Sequence, residues 1–130
     1  MPAPNRLPQP TPAELEILQV LWRQGPCTVR DVHEALRDQH PVGYTTMLKL
    51  LQIMVEKGIA VRDESARSHV YRAAVSEDRT KRRLVSELVD RAFDGSAAGL
   101  IMQALSARRV SPDELQRIRG LLDAAARRDP

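Results

Sequence analysis

Residues 44–58 read YTTMLKLLQIMVEKG and predict one helix that is apolar over most of its circumference. At 100° per residue, four polar side chains fall within roughly 60° of one another around the helix axis. These are Thr45, Lys49, Gln52 and Glu56, and Thr46 lies beside them; together they form the polar ridge. The helix is expected to end at Gly58, because glycine readily adopts the left-handed conformation that follows many helices.

The polar ridge has two interpretations. In the first, an ordinary amphipathic helix turns its polar side chains toward solvent. In the second, the ridge enters the major groove of DNA, where Thr, Lys and Gln side chains reach phosphates or base edges. A predicted hairpin with strands at residues 59–63 and 68–73 follows the helix and favours the second interpretation. Arg67 at its tip is placed to contact phosphates or a narrow minor groove, although a lone arginine in a turn is commonly just solvated.

Two shorter helices precede this one along the chain. Thr11 and Glu14 form a capping box around Pro12, and apolar residues follow at spacings of three and four. A Gly-Pro pair ends that helix, and Thr28 is the expected cap of the next. Three helices followed by a hairpin are the elements of a winged helix-turn-helix, an architecture that binds DNA.

Three amphipathic helices are predicted after the hairpin, beginning at Ser76, Ser96 and Ser111. So short a segment does not bury its apolar stripes alone, so it either packs back on the preceding elements or pairs with a second copy. We favour pairing, because two-fold dimers are the commonest oligomers and dimeric DNA readers match palindromic half-sites. The predicted dimer contacts are Leu84, Leu88, Phe93, Leu100, Ile101, Leu105, Leu115, Ile118 and Leu122.

The expected fold class is mainly α with a small β-hairpin wing. A flexible, proline-rich leader is predicted at residues 1–10. A winged helix-turn-helix DNA-binding domain is predicted at residues 11–75, and a helical dimerisation region at residues 76–130. No internal repeat is visible in the sequence.

Composition is typical of a soluble helical protein. The 130 residues are 42% hydrophobic, 28% charged and only 3% aromatic, with one cysteine and a net charge of +3. One thiol forms no internal disulfide, and no apolar run reaches the roughly 18 residues of a membrane helix. We therefore expect a cytoplasmic protein that does not associate with a membrane. The mild positive charge permits nucleic-acid binding without requiring it.

Residues with catalytic or metal-binding potential are sparse. Cys27 precedes a predicted helix start, which can lower the pKa of a thiol, but no base accompanies it and a structural thiol is the simpler interpretation. His33, His40 and His69 lack the spacing of zinc motifs. The sequence has no phosphate loop and no nucleophile elbow. It therefore predicts no catalytic residue, no metal site and no cofactor.

The ordered motifs resemble the BlaI/MecI penicillinase-repressor family, whose copper-responsive relatives include CopY. The segments that carry the resemblance are LEIL at 15–18, CTVRDV at 27–32, YTTML at 44–48, EKG at 56–58, FDGS at 93–96 and SPDEL at 111–115. YTTML is the most specific of them, and the resemblance covers nearly the whole chain. It implies a dimeric winged-helix repressor on a palindromic operator, with Thr45, Thr46 and the position of Lys49 facing the groove.

Some positions depart from the family pattern. Lys49 and Ile53 stand where relatives often have threonine and arginine, so the family's operator preference is not carried over. In penicillinase repressors a sensor-dependent cut falls at an Asn-Phe bond, which aligns with Gln103-Ala104 here. Neither residue matches, so a membrane sensor protease lacks support as a partner. The paired cysteines of the copper branch are absent from this sequence.

The leading hypothesis is a homodimeric repressor whose partner is double-stranded operator DNA. The predicted DNA-binding residues are Thr45, Thr46, Lys49, Gln52 and Arg67. The alternative is a winged helix that serves as a protein-interaction module without specific DNA binding, which the near-neutral charge of residues 1–75 favours. A salt titration separates the two hypotheses, because DNA binding weakens steeply as salt rises.

Overall fold

The computed structural model describes residues 9–65 and 67–128. Three helices come first: α1 (Pro12–Gln24), α2 (Val29–Ala35) and α3 (Tyr44–Lys57). An antiparallel hairpin follows, made of β1 (Ala60–Asp63) and β2 (Val70–Ala73), and then α4 (Glu77–Ala92), α5 (Ala97–Ala107) and α6 (Pro112–Arg128). The predicted fold class, mainly α with a small hairpin wing, is confirmed. The predicted leader lies outside the described residues except for Gln9 and Pro10.

Capping interactions set the starts of the first two helices. Thr11 Oγ1 accepts the Glu14 backbone N–H at 3.2 Å, and Glu14 Oε1 accepts the Thr11 N–H at 2.9 Å. Thr28 and Asp31 make the same reciprocal pair at the start of α2, at 3.1 and 3.0 Å. Both pairs satisfy backbone donors that a helix start leaves unpaired. As predicted, α3 ends at Gly58, whose φ of 84° is left-handed.

One apolar core joins the first three helices to the hairpin. α3 contributes Met47, Leu51 and Met54, each of them 0% exposed. Their spacing of three and four residues puts them on one face of the helix, so the polar ridge turns away from the core. The other large and fully buried side chains of this core are Ile17, Leu18, Val20, Val32, Leu36, Ile59 and Tyr71.

The hairpin strands are shorter than the sequence predicts. The first begins at Ala60, because the Ile59 N–H still donates to the Met54 carbonyl at the end of α3. The second begins at Val70 rather than at residue 68. The loop between the strands is therefore longer than expected, and it carries Arg67.

A β-bridge extends the hairpin to the segment before α2. The Cys27 N–H donates to the Tyr71 carbonyl at 2.9 Å, and the Tyr71 N–H donates to the Cys27 carbonyl at 2.7 Å. This pairing was not expected, because the sequence around Cys27 contains only a helix-start signal. It fixes the start of α2 beside β2, and therefore beside the wing.

A buried ion pair joins the start of α1 to the end of α3. Glu14 Oε1 lies 2.6 Å from Lys57 Nζ, and the two side chains are 3% and 22% exposed. The same carboxylate oxygen also closes the capping box at Thr11. The sequence pattern identified Glu14 only as a capping residue, since its lysine partner lies 43 positions further along the chain.

The described chain divides into two compact units, one ending at Lys81 and the other beginning at Arg82. The first contains α1 to α3, the hairpin and the start of α4. The second contains the rest of α4, α5 and α6. As predicted, a break separates α4 from α5: Asp94 and Gly95 have φ of 51° and 80°, and Ser96 then caps α5.

Glu14→Gln tests the buried ion pair. Glutamine keeps a capping oxygen but leaves the largely buried Lys57 ammonium without a counter-charge, so we expect the free energy of unfolding to fall by about 1–3 kcal/mol. Urea titration followed by circular dichroism measures the change. Glu77→Gln is the matched control, because Glu77 also lies 2.6 Å from Lys81 but both side chains are at least half exposed. The free energy of unfolding of that control should fall by less than about 0.5 kcal/mol. Equal decreases in the two variants would contradict a stabilising role of the buried ion pair.

Candidate nucleic-acid interface

The polar ridge of α3 is exposed along its whole length, since Thr45, Thr46, Lys49, Gln52 and Glu56 all face solvent. Its first part carries hydroxyl, ammonium and amide donors, whereas its last residue is an acid. No carboxylate of residues 9–65 or 67–128 lies within 4.0 Å of the Lys49 ammonium. The first part of the ridge is therefore suited to contact a polyanion or the edges of bases.

A cleft of about 680 Å³ lies between the start of α2, the start of α3 and the wing. Its lining includes Thr28, Arg30, Tyr44, Arg67, Ser68 and His69, and none of the described residues that line it is acidic. Arg30 comes from α2 and Arg67 from the hairpin loop, so two different elements each contribute an arginine to the lining of one cleft. The cleft adjoins the polar ridge, because Tyr44 directly precedes Thr45 in α3.

Two contacts of His33 hold the segment that leads into α3. Its Nε2 lies 2.8 Å from the Val42 carbonyl oxygen, and because a carbonyl only accepts, this nitrogen carries the proton. The His33 and Tyr44 rings also meet in a T-shaped arrangement, with centroids 6.3 Å apart and planes at 68°. Tyr44 is 52% exposed and lines the cleft, so these contacts fix one wall of it.

The charges of the wing are partly paired. Glu64 lies 3.5 Å from the Arg62 guanidinium and 3.7 Å from His69 Nε2. Arg67, by contrast, has no carboxylate within 4.0 Å in the part of the chain that the structure describes. Arg67 is therefore a wing cation that is open to an external anion.

The predicted DNA-binding residues thus lie on two adjoining surfaces. Four of them are on the exposed ridge of α3, and Arg67 lies in the cleft beside it. The sequence reasoning did not single out Arg30 as a site residue. The position of Arg30, just after the capped start of α2, was a usable signal, since that helix lies next to the DNA-reading helix in a helix-turn-helix.

The second unit exposes many large apolar side chains, and none of residues 82–128 is fully buried. Five predicted dimer contacts are at least 36% exposed: Leu88, Ile101, Leu105, Leu115 and Leu122. The other four are half-buried: Leu84, Phe93, Leu100 and Ile118. Three further exposed apolar residues of this unit were not among the predicted dimer contacts: Val85, Met102 and Leu121. Exposed apolar side chains in such number are typical of an interaction surface.

Known proteins show the same pattern of sequence. The chain matches the penicillinase-repressor family over residues 10–124. The chain belongs to that family. It is 31% identical over 111 residues to the transcriptional regulator BlaI of Mycobacterium tuberculosis, covering 84% of this chain and 79% of that protein. It is 19% identical over 119 residues to the methicillin resistance regulatory protein MecI of Staphylococcus aureus, covering 92% and 97%.

A solved structure also resembles this member of the family. The BlaI monomer of Bacillus licheniformis, determined in complex with the blaP half-operator, superposes with a TM-score of 0.50 at 25% identity. The match covers 56% of this chain and 89% of that one.

Family membership makes the chain a DNA-binding transcriptional repressor of the BlaI type and not an enzyme. Within residues 9–65 and 67–128, no helix is both long and apolar enough to span a membrane.

Cys27, the one thiol of this repressor, lies in the core. Its side chain is 3% exposed, and Sγ lies 3.2 Å from the Gly25 carbonyl oxygen. Burial, assisted by the negative charge of Asp31, raises the pKa of the Cys27 thiol above its usual value of 9.0. The lowering that a helix start can produce is outweighed, so the interpretation as a structural thiol is the better one.

Native Cys27 should react slowly with a thiol reagent such as DTNB. A buried thiol with a raised pKa exposes little thiolate at pH 8, so we expect labelling to be on the order of a hundredfold slower than in the urea-unfolded chain. Stopped-flow absorbance measures both rates, with the unfolded chain as the control. Native labelling as fast as in the unfolded chain would contradict the buried, neutral thiol.

Proposed function

We propose that this repressor acts as a homodimer on a palindromic operator and inserts α3 of each copy into a major groove. The observation that carries the proposal is the exposed polar ridge on a helix whose opposite face is fully buried. A helix fixed in this way presents the same side chains to every ligand, which sequence-specific readout requires. The half-operator complex of the Bacillus licheniformis relative supports a site made of two halves.

Most residues of the ridge are suited to contact bases or phosphates, whereas its last residue repels phosphates. Lys49 can donate to the O6 and N7 acceptors of guanine, and Gln52 pairs with adenine N6 and N7. Thr45 and Thr46 reach phosphates or base edges near the start of the helix. Glu56 repels phosphates, so the part of α3 that approaches the backbone ends before it.

The dimer is proposed to form through the second unit. A second copy would cover the apolar side chains that this unit exposes, and a two-fold axis would make the same surface serve both copies. The two α3 helices would then occupy successive major grooves about 34–36 Å apart. In this proposal residues 11–75 bind DNA, residues 76–130 dimerise and the protein acts in the cytoplasm.

Lys49→Ala tests the ridge. We expect the variant to bind a duplex from upstream of its own coding sequence about tenfold more weakly than the wild type, because one specific contact is lost. The wild type should prefer that duplex over a scrambled one by about a thousandfold, with affinity falling steeply as salt rises. Fluorescence anisotropy at several salt concentrations measures both quantities.

Lys81→Ala is the matched control for Lys49→Ala. Lys81 is also an exposed lysine of the same unit, but it pairs with Glu77 on α4 and lies outside the ridge and the cleft. The Lys81→Ala variant should bind the duplex with the affinity of the wild type. A folded Lys49→Ala variant with unchanged affinity would contradict the assignment of α3. Weak and equal binding of the wild type to both duplexes, with little salt dependence, would instead support a protein-interaction module.

Leu105→Asp tests the dimer surface. A carboxylate at an apolar contact should weaken self-association at least about thirtyfold, because an unpaired charge would be buried in the interface. Analytical ultracentrifugation measures the dissociation constant, and Ser106→Asp is the control that adds the same charge at the next position. Leu122, which is 52% exposed against 40% for Leu105, provides a second variant, Leu122→Asp, at a less buried position. A wild type that stays monomeric, or variants that stay dimeric, would contradict the proposed surface.

A further inference from the structure

We propose that Arg30 and Arg67 together bind one backbone phosphate of the operator, in the cleft beside the ridge of α3. The sequence left two ligands open for Arg67, a phosphate or a narrow minor groove. The cleft distinguishes them, because it brings Arg67 to the same concave surface as a second arginine. The inference rests on the proposed DNA binding and adds a named phosphate site to it.

The two arginines give the cleft a positive charge that favours binding of an anion. Arg30 and Arg67 are both exposed, and neither has a carboxylate within 4.0 Å among the described residues. Two like charges in one cleft repel each other, so an anion between them relieves repulsion as well as adding attraction. The carboxylates nearest in sequence are already engaged: Asp31 caps α2, and Glu64 pairs with Arg62 and His69.

Neutral donors complete the site. Thr28, Tyr44 and Ser68, whose side chains carry hydroxyl groups, line the same cleft as the two arginines. Phosphodiester oxygens accept hydrogen bonds from arginine, serine, threonine and tyrosine side chains, which are the types found here. The Tyr44 ring packs against the His33 ring in a T-shaped arrangement, so this side chain is supported on one side before the ligand arrives.

The position of the cleft selects a DNA backbone as the source of the phosphate. Tyr44 lines the cleft, and the next two residues, Thr45 and Thr46, begin the polar ridge. A major groove is bordered on each side by a phosphate backbone, so a duplex that receives the ridge brings one backbone past the cleft. A minor-groove contact would require Arg67 to reach into the duplex alone, away from Arg30.

The test uses Arg30→Gln, Arg67→Gln and the double variant in the full chain. Each single variant should weaken binding to the upstream duplex and to the scrambled duplex by the same factor, about tenfold. The double variant should lower the slope of log affinity against log salt by about 0.9, the value for one phosphate, and each single variant should lower it by less because the other arginine still contacts that phosphate. The affinity of the double variant should fall by a factor smaller than the product of the two single-variant factors, because both arginines contact one phosphate. Arg37→Gln, which alters an exposed arginine paired with Glu34, is the matched control and should change neither quantity.

Chemical neutralisation of the DNA locates the phosphate. Single methylphosphonate linkages are scanned along the upstream duplex. At one position per half-site the wild type should lose about tenfold in affinity, and both single variants should lose much less. Inorganic phosphate added at constant ionic strength should not compete at millimolar concentration. Specific competition would point to a free phosphorylated ligand and overturn the assignment to DNA.

Two further outcomes would overturn the proposal. A change in the preference of Arg67→Gln for A·T over G·C pairs, with an unchanged salt slope, would assign Arg67 to the minor groove. Wild-type affinity in both single variants would remove the cleft from the interface. Neither outcome affects the proposed function, whose own failure would appear as a wild type that does not prefer its upstream duplex.

Discussion

The burial of one face of α3 is the constraint on which the interface depends. Met47, Leu51 and Met54 are fully enclosed, so a rotation of α3 about its axis would expose apolar side chains and drive polar ones into the core. Each large apolar side chain moved into water costs about 1.5–3 kcal/mol, and an unpaired polar group in the core adds to that. The polar ridge therefore has one available direction, which is outward.

The remaining contacts of the first unit hold α3 and its surroundings in place. His33 fixes the segment that leads into the helix, while the ion pair between Glu14 and Lys57 fixes its far end. The bridge between Cys27 and Tyr71 brings the start of α2 beside the wing, and this placement creates the basic cleft. The polar ridge and the cleft are thus preorganised, so the free-energy cost of ordering them on binding is small.

Local signals in the sequence predict most of the helices, because capping boxes, apolar periodicity and Gly58 act within a few residues. The bridge at Cys27 and the ion pair at Glu14 join residues more than 40 positions apart, and no local pattern encodes them. The cleft depends on that bridge, so no local pattern shows that Arg30 and Arg67 line one surface. Periodicity likewise identifies the apolar stripes of the second unit without showing that Met102 and Leu121 are its most exposed members.

The most direct measurement is NMR chemical-shift mapping of the ¹⁵N-labelled protein with the upstream duplex and with a scrambled one. We expect the upstream duplex to perturb residues 44–52 most strongly, including the side-chain amide of Gln52, together with Arg30 and residues 67–69. The scrambled duplex should produce weaker shifts confined to the basic positions. Perturbations centred on the exposed face of α1, at Gln19 and Arg23, with the ridge of α3 unchanged would contradict the account.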